Sequence, residues 1–502
     1  MIWDHIILGL AQALTADNLL YCFIGVFLGT LLGVIPGIGT LIAVSLLFPF
    51  TFHLQPTTAL IMLAGIYYGT SYGGSTASIL LGLPGTPSNA VIVADGHAMA
   101  KKGRAGQALF LTGLGSFVGG STGIILMMLF APLIASVGLS FTAPEYFSLM
   151  LFGLVAASSM SSGAPAKGLG MVALGLLLGT VGLDVQTGSE RLTFGFPQLF
   201  DGVSLVIVAL GLFGIAEVMA SATNTGQGEV FQKKITMRAL IPSKEERQRS
   251  VKPMIRGSLI GSFFGMLPGT GGLLAAFMAY LAERRFSKNP EEFGYGAVEG
   301  VVAPETANNA ADQTAFIPTM TLGIPGSASM ALMLGVLIIH GITPGPRLVV
   351  EQPALFWGLI MSFWIGNIML LILNIPLIGI WVKLLSVPYR LLYPAVLLFC
   401  CFGVYSATGQ IFDVWLALGF GLLGYLMKML EMPAAPLLLG LVLGPMMEDN
   451  FRRALLISRG DLLIFVERPI SAGILLLCLG MLLVTFVGHW RAGRRLQTEE
   501  TR

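Results

Sequence analysis

Charge is what this chain has least of. Only 11% of its 502 residues are Asp, Glu, Lys or Arg, where a soluble domain carries about 25%, so an ordinary soluble globular protein is excluded. The formal net charge of +2 says little, because the placement of the charges matters more. The one polar stretch, 222–256, holds Lys233, Lys234, Arg238, Lys244, Arg247, Arg249, Lys252 and Arg256 against Glu229, Glu245 and Glu246. It reads as a basic cytoplasmic connector rather than a nucleic-acid patch. Cysteine is equally scarce. Cys22, Cys400, Cys401 and Cys478 lie in apolar runs without metal-ligand spacing, so they read as small buried hydrophobes, and neither a disulfide nor a metal site is expected. The start, Met1-Ile2-Trp3-Asp4-His5, lacks the basic opening of a cleavable signal peptide, so the chain is expected to remain in the membrane uncleaved. Enzyme signatures are missing too. There is no H-E-x-x-H and no G-x-S-x-G, and Gly265 to Gly271 lacks the Lys of a phosphate-binding loop. The expectation is that this is not an enzyme and carries no cofactor, so any pumping must draw on an ion gradient or on another subunit.

What is present is apolar. Hydrophobic residues make up 55% of the chain, and runs near the roughly 20 residues needed to cross a bilayer recur throughout. The fold class is an all-α polytopic membrane protein with about 10–12 spans. Glycine, at 64 residues, is nearly twice its usual share of about 7%, as expected where helices approach closely in lipid. The chain divides into an N-terminal segment 1–17, a first transmembrane repeat 18–221, the linker 222–256, a second repeat 257–488 and a tail 489–502. Apolar spans fall near 108–130, 144–160, 168–183, 203–221, 354–380, 391–408, 411–430 and 470–488. Tyr67 to Ser75 interrupts the run at 57–94 and, crowded with tyrosine, glycine and hydroxyls, reads either as a lining of the pathway or as a close helix contact; Glu283-Arg284-Arg285 is a basic loop.

The two repeats share their breakpoints. Gly25, Gly29, Gly33, Pro36, Gly37 and Gly39 recur as Gly257, Gly261, Gly265, Pro268, Gly269 and Gly271. Gly82-Leu83-Pro84-Gly85-Thr86-Pro87-Ser88 is answered by Gly323-Ile324-Pro325-Gly326-Ser327-Ala328-Ser329. Proline removes a donor and glycine admits unusual dihedrals, so each of these loops should break a helix. A break in lipid is tolerable only where it is buried in protein or lines a wet cavity. Matching breaks in two halves point to a transporter's substrate site.

Charge placement favours inverted repeats. With Lys101 to Arg104, Lys167 and the linker in the cytoplasm, the 184–200 loop lies outside, and Arg452, Arg453 and Arg459 lie inside. Arg491, Arg494 and Arg495 would then end outside, against the rule.

The helix that restarts after each loop offers free N–H groups and a partial positive charge, which a carboxylate can meet without Arg or Lys. Gly85, Thr86, Ser88 and Asn89, with Gly326, Ser327 and Ser329, are therefore candidate substrate contacts; the plainer reading is that Thr and Ser cap those helices. Glu305, Asn308, Asn309 and Asp312, with Gln313, form a polar cluster beside the second loop. Asn oxygens there suit Na⁺ and the carboxyls suit H⁺, because ionisable groups at membrane depth tend to be functional. The alternative is that the cluster lies at the interface, capping a helix after Pro304. Asp184, Glu190 and Arg191 are candidate partner contacts in an outer loop.

Gly33-Val34-Ile35-Pro36-Gly37-Ile38-Gly39, Ala64 to Gly69, Leu83 to Ser88, Ala303 to Asn309, Leu322 to Ala328 and Leu441 to Pro445 together resemble the TctA family. That family is the large membrane subunit of bacterial tripartite tricarboxylate transporters. The resemblance covers nearly the whole chain. It implies secondary, cation-coupled uptake of small organic carboxylates through the bacterial inner membrane. It also implies a small four-span membrane subunit and a periplasmic binding protein as partners. It would place substrate contacts at Thr86, Ser88, Ser327 and Ser329. The competing readings are a passive anion channel, an intramembrane hydrolase, which the missing motifs disfavour, and a scaffold, which would not need duplicated breaks.

Overall fold

The computed structural model describes residues 2–159, 165–184, 186–221, 237–267, 270–384 and 389–500. Pro268 and Gly269, expected as a helix break, lie outside the described residues.

Helices dominate. In chain order they are α1 (Ile2–Ala13), α2 (Ala16–Val34), α3 (Thr40–Leu47), α4 (Pro56–Leu81), α5 (Ala90–Lys101) and α6 (Ala105–Gly138). Next come α7 (Ala143–Ser159), α8 (Pro165–Gly179), α9 (Leu205–Ala209) and α10 (Ala216–Ser221), the last two joined by a π-helical turn. The later part contributes α11 (Lys244–Gly265), α12 (Gly271–Phe286), α13 (Val298–Thr314), α14 (Phe316–Leu322), α15 (Ala328–Ile339), α16 (Pro346–Glu351) and α17 (Pro353–Asn374). It ends with α18 (Ile378–Leu384), α19 (Tyr389–Thr408), α20 (Ile411–Met429), α21 (Ala434–Ile457), α22 (Ile464–Glu467) and α23 (Pro469–Glu500). Among the described residues a two-residue hairpin, Gly182–Leu183 with Glu190–Arg191, is the only sheet. Four of the described helices, α2, α6, α17 and α20, are by length and composition alone able to cross a membrane. Their outward side chains are apolar, as with Leu129, Ile368, Ile372 and Trp415. This is an all-α polytopic membrane protein.

The chain forms two compact units, and each draws on both halves of the sequence: residues 1–136 with 217–409, and 137–216 with 410–502. In the first unit, glycine at every fourth position sets the geometry. Gly25, Gly29 and Gly33 of α2 lie against the backbone of Met62, Ile66 and Thr70 of α4. Gly257, Gly261 and Gly265 of α11 lie in the same way against Ala303, Ala307 and Ala311 of α13. In both pairs the residue numbers rise together, so the helices run parallel and the chain has returned between them. Without a Cβ the backbones come close enough for dispersion to replace the missing hydrophobic drive. α2 ends where expected: Ile35 to Gly39 is non-helical, with Gly37 at φ 87°. α4 ends at Gly82 (φ 68°) and α14 at Gly323 (φ 73°), both left-handed.

Two expectations fail in this unit. Tyr67 to Ser75 does not interrupt anything, because α4 is continuous from Pro56 to Leu81 and its tyrosines and small residues are packed inside. Glu283-Arg284-Arg285 is no loop but the last turn of α12, where the buried Glu283 carboxylate accepts from Arg256.

A third fails in the second unit. The loop at 184–200 and the arginines at the end of α21 and just past it, Arg452, Arg453 and Arg459, were expected on opposite sides of the membrane. Instead Arg452 Nη2 donates to Asp184 Oδ2 at 2.7 Å and Arg191 Nη1 donates to Glu448 Oε1 at 2.8 Å, so they share one side. The charge rule misled because it counts exposed basic residues, and these are neutralised by Asp184, Glu448 and Asp449. The hydrogen bond from Arg452, then the N–H groups of Gln186 and Thr187, hold the Asp184 carboxyl well below the usual carboxylate range.

Two measurements check this packing. Gly261→Ala should lower the melting temperature in detergent by the equivalent of about 1–3 kcal/mol, the usual cost of overpacking. Gly170→Ala, in open space on α8, should be neutral or slightly stabilising; equal effects at both positions would contradict the close approach. Because folding depresses the pKa of Asp184, its contribution is complete above the ordinary carboxylate pKa near 4 and fades as the pH falls below it. The difference in melting temperature between the wild type and Asp184→Asn should therefore be constant at neutral pH and close on acidification.

Candidate functional site

α4 presents Tyr67, Ser71 and Ser75 four residues apart, a single stripe on a helix of 3.6 residues per turn. α13 presents Glu305, Asn308, Asn309 and Asp312, and every residue from Val298 to Thr314 is buried. The polar cluster is therefore no interfacial cap, and Pro304 lies inside the helix rather than before it. The two stripes meet. Ser75 pairs with Glu305, while Ser71 and Tyr67 pair with Asp312, so the helices cross antiparallel.

The Glu305 carboxylate collects four donors. Asn89 Nδ2 donates to Ser75 Oγ at 3.0 Å, which directs the Ser75 hydrogen to Glu305 Oε2 at 2.6 Å. Asn309 Nδ2 donates to Ser116 Oγ at 3.0 Å, and Ser116 passes its own hydrogen to Glu305 Oε1 at 2.5 Å. The two amides also reach the carboxylate directly, at 3.3 and 3.2 Å. Chains of this kind polarise one another and are worth most when every member is satisfied. Asp312 is held differently, by Tyr67 OH at 3.0 Å on Oδ1 and Ser71 Oγ at 2.5 Å on Oδ2. Among the described residues neither carboxylate has an ion-pair partner. Asn308 is wholly buried, and both polar atoms of its side chain lack a partner.

The first loop is built into this network. Gly85 lies against Gly74 and the carbonyl of Gly33, where any Cβ would collide. Thr86 Oγ1 donates to Asn89 Oδ1 at 2.5 Å and sits 3.0 Å from Ser88 Oγ. Thr86 and Asn89 are buried, Ser88 is half-buried, Pro84 is exposed and Pro36 is half-buried. In the second loop Pro325, Gly326 and Ser329 are buried. Ser327 accepts from Met330 N at 3.3 Å, so here the plain capping reading describes the side chain. The structure thus joins Thr86, Asn89, Glu305 and Asn309 in one network and sets Asp312 and Asn308 beside it. Ser75, Ser116, Ser71 and Tyr67 complete the site. The three on α4 fall in the Tyr67 to Ser75 stretch, which the sequence offers as a pathway lining or a close helix contact; Ser116 sits in an apolar run with no signal.

Each of these bonds to a charged group is worth about 1.5–3 kcal/mol, and a buried donor left unpaired costs about 1–3 kcal/mol. Glu305→Gln turns one end of the side chain into a donor facing an amide donor. It should lower the melting temperature by the equivalent of about 1–3 kcal/mol, and an unchanged melting temperature would contradict the network.

The family model described as the tripartite tricarboxylate transporter TctA family matches residues 19–439. An uncharacterised 52.8 kDa protein in the TAR-I ttuC' 3' region of Agrobacterium vitis is 50% identical over 491 residues, 98% of this chain and 97% of that one. An uncharacterised protein in the TAR-II ttuC' 3' region of the same organism is 53% identical over 234 residues, 47% of this chain and 97% of that one. No solved structure matches. A match across most of the sequence, with a half-identical relative along its whole length, means that this chain belongs to the TctA family of tripartite tricarboxylate transporters.

Proposed function

We propose that the protein is the permease subunit of a binding-protein-dependent secondary transporter that takes up tricarboxylates or other small organic carboxylates by cation coupling. The observation that carries the reading is the contact of Asn89, just after the first repeat's loop, with Glu305 of the second repeat. It ties a helix break to a buried carboxylate that, among the described residues, no cationic side chain neutralises. Such groups are costly at membrane depth and mark ion and substrate pathways. The carboxylate of the substrate meets the N–H groups that open the helices after Pro84-Gly85 and Pro325-Gly326, with Thr86, Ser88, Ser327 and Ser329 beside them. Glu305, Asn308, Asn309 and Asp312 serve the coupling cation, Na⁺ or H⁺. The setting is the bacterial inner membrane, with a small four-span subunit and a periplasmic binding protein that delivers the substrate.

The antiparallel crossing of α4 and α13 supports inverted repeats. Pro84 and Pro325, Gly82 and Gly323, and Ser71 and Asp312 are all separated by the same number of residues. Ser71 and Asp312 therefore occupy corresponding places and touch each other, as residues near a two-fold axis do. An axis across two antiparallel helices is the relation expected of inverted halves.

Uptake into vesicles carrying all three components should exceed the electrochemical balance of the carboxylate and should fall when the driving cation gradient is collapsed. Thr86→Ala and Ser327→Ala should each raise the apparent KM by about tenfold, the equivalent of 1.4 kcal/mol. Uptake that only equilibrates would favour a passive anion channel, and unchanged KM in both variants would remove the loops from the substrate path.

A further inference from the structure

The two buried carboxylates of α13 are not alike. Both oxygens of Glu305 are filled by side-chain donors from Ser75, Ser116, Asn89 and Asn309. Asp312 receives one hydroxyl on each oxygen, and each oxygen keeps acceptor capacity. One turn away on the same helix stands Asn308, buried, with neither polar atom paired. The two side chains converge. A Cβ built on Gly272, in the first turn of α12, would run into Asn308 Oδ1 and would lie 3.3 Å from Asp312 Oδ1. A buried amide left unpaired costs free energy unless something else meets it.

We propose that Asn308 Oδ1 and Asp312 form a site for a dehydrated monovalent cation, Na⁺, pressed against the bare backbone of Gly272. The inference rests on the cation-coupled reading and assigns its ion. Oxygen donors suit a hard cation. A single carboxylate with a neutral amide oxygen balances one positive charge, whereas a divalent ion would want six or more oxygens and further carboxylates. A proton would bind the carboxyl alone and leave the Asn308 oxygen as it stands, unpaired. Glycine at 272 is needed for space, because a methyl group there would displace the amide oxygen.

The test uses Na⁺ itself, so the identity of the carboxylate does not enter. Purified full-length protein is melted in increasing NaCl, with choline chloride replacing it at constant ionic strength. The wild type should show a saturable rise in melting temperature with Na⁺. Asn308→Ala and Asp312→Asn should shift the Na⁺ midpoint upward by at least about tenfold. Gly272→Ala removes no ligand and should do the same, which keeps the proposal testable where either polar variant fails to fold. Absence of any Na⁺-specific rise in the wild type, or an unmoved midpoint in the variants that fold, overturns the site. Vesicle uptake separates this from the parent reading. Accumulation driven by a pH gradient and indifferent to Na⁺ overturns the Na⁺ site and leaves cation coupling intact, whereas uptake that never exceeds equilibrium overturns the coupling itself.

Discussion

A carboxylate inside a membrane protein, out of reach of water and of any cationic side chain, has to be met by donors that the fold supplies. Glu305 is met by two serines and two asparagines drawn from α4, α6, α13 and the segment after the first loop. Those donors arrive only if four backbone segments lie in register within a few tenths of an ångström. The rest of the first unit follows from that demand. The glycine rows on α2 and α11 bring α4 and α13 to backbone contact with their own partners. The bare Cα of Gly74 lets Asn89 press against α4, and Gly85 lets the loop pass under α2. Residues that look like flexible punctuation are in fact there to leave room.

This explains how a chain with so few charges uses them. Near the helix ends, acids and bases neutralise one another: Arg249 with Glu299 and Glu292, Arg256 with Glu283, Arg452 with Asp184. The hydrogen bonds that Arg249 donates to Glu299, then to Glu292, push its guanidinium up, so it stays charged throughout. Such pairs fix the ends of helices and contribute little each. On α13 the reverse holds: among the described residues Glu305 and Asp312 are paired only with hydroxyls and side-chain amides. That contrast separates the framework of the protein from the proposed place of ion and anion exchange.

Much of the architecture was legible in the sequence. The breaks at Pro36 and at the two Pro-Gly loops appear where proline and left-handed glycine require them, and the apolar runs become helices. The polar residues of α13 stood out because Asn, Asp and Glu are conspicuous in so apolar a chain. Their partners did not. Ser116 lies on α6 among glycines and apolar residues, and only tertiary packing turns it toward Glu305. Tyr67 to Ser75 read as a break because glycine and hydroxyl residues usually loosen a helix; here they are what allows α4 to be packed on all sides. That Arg452 and the 184–200 loop share one side was missed for a related reason, since local charge does not reveal that Asp184 neutralises Arg452.

Transport by alternating access requires that the loops be reached from both faces of the membrane. With Cys22, Cys400, Cys401 and Cys478 replaced, Thr86→Cys and Ser327→Cys can each be probed with a membrane-impermeant thiol reagent applied to either side, with and without a tricarboxylate and the partner proteins. Alternating access predicts labelling from each side and protection by the carboxylate from both. Labelling confined to one side, or labelling that the carboxylate never slows, would contradict it.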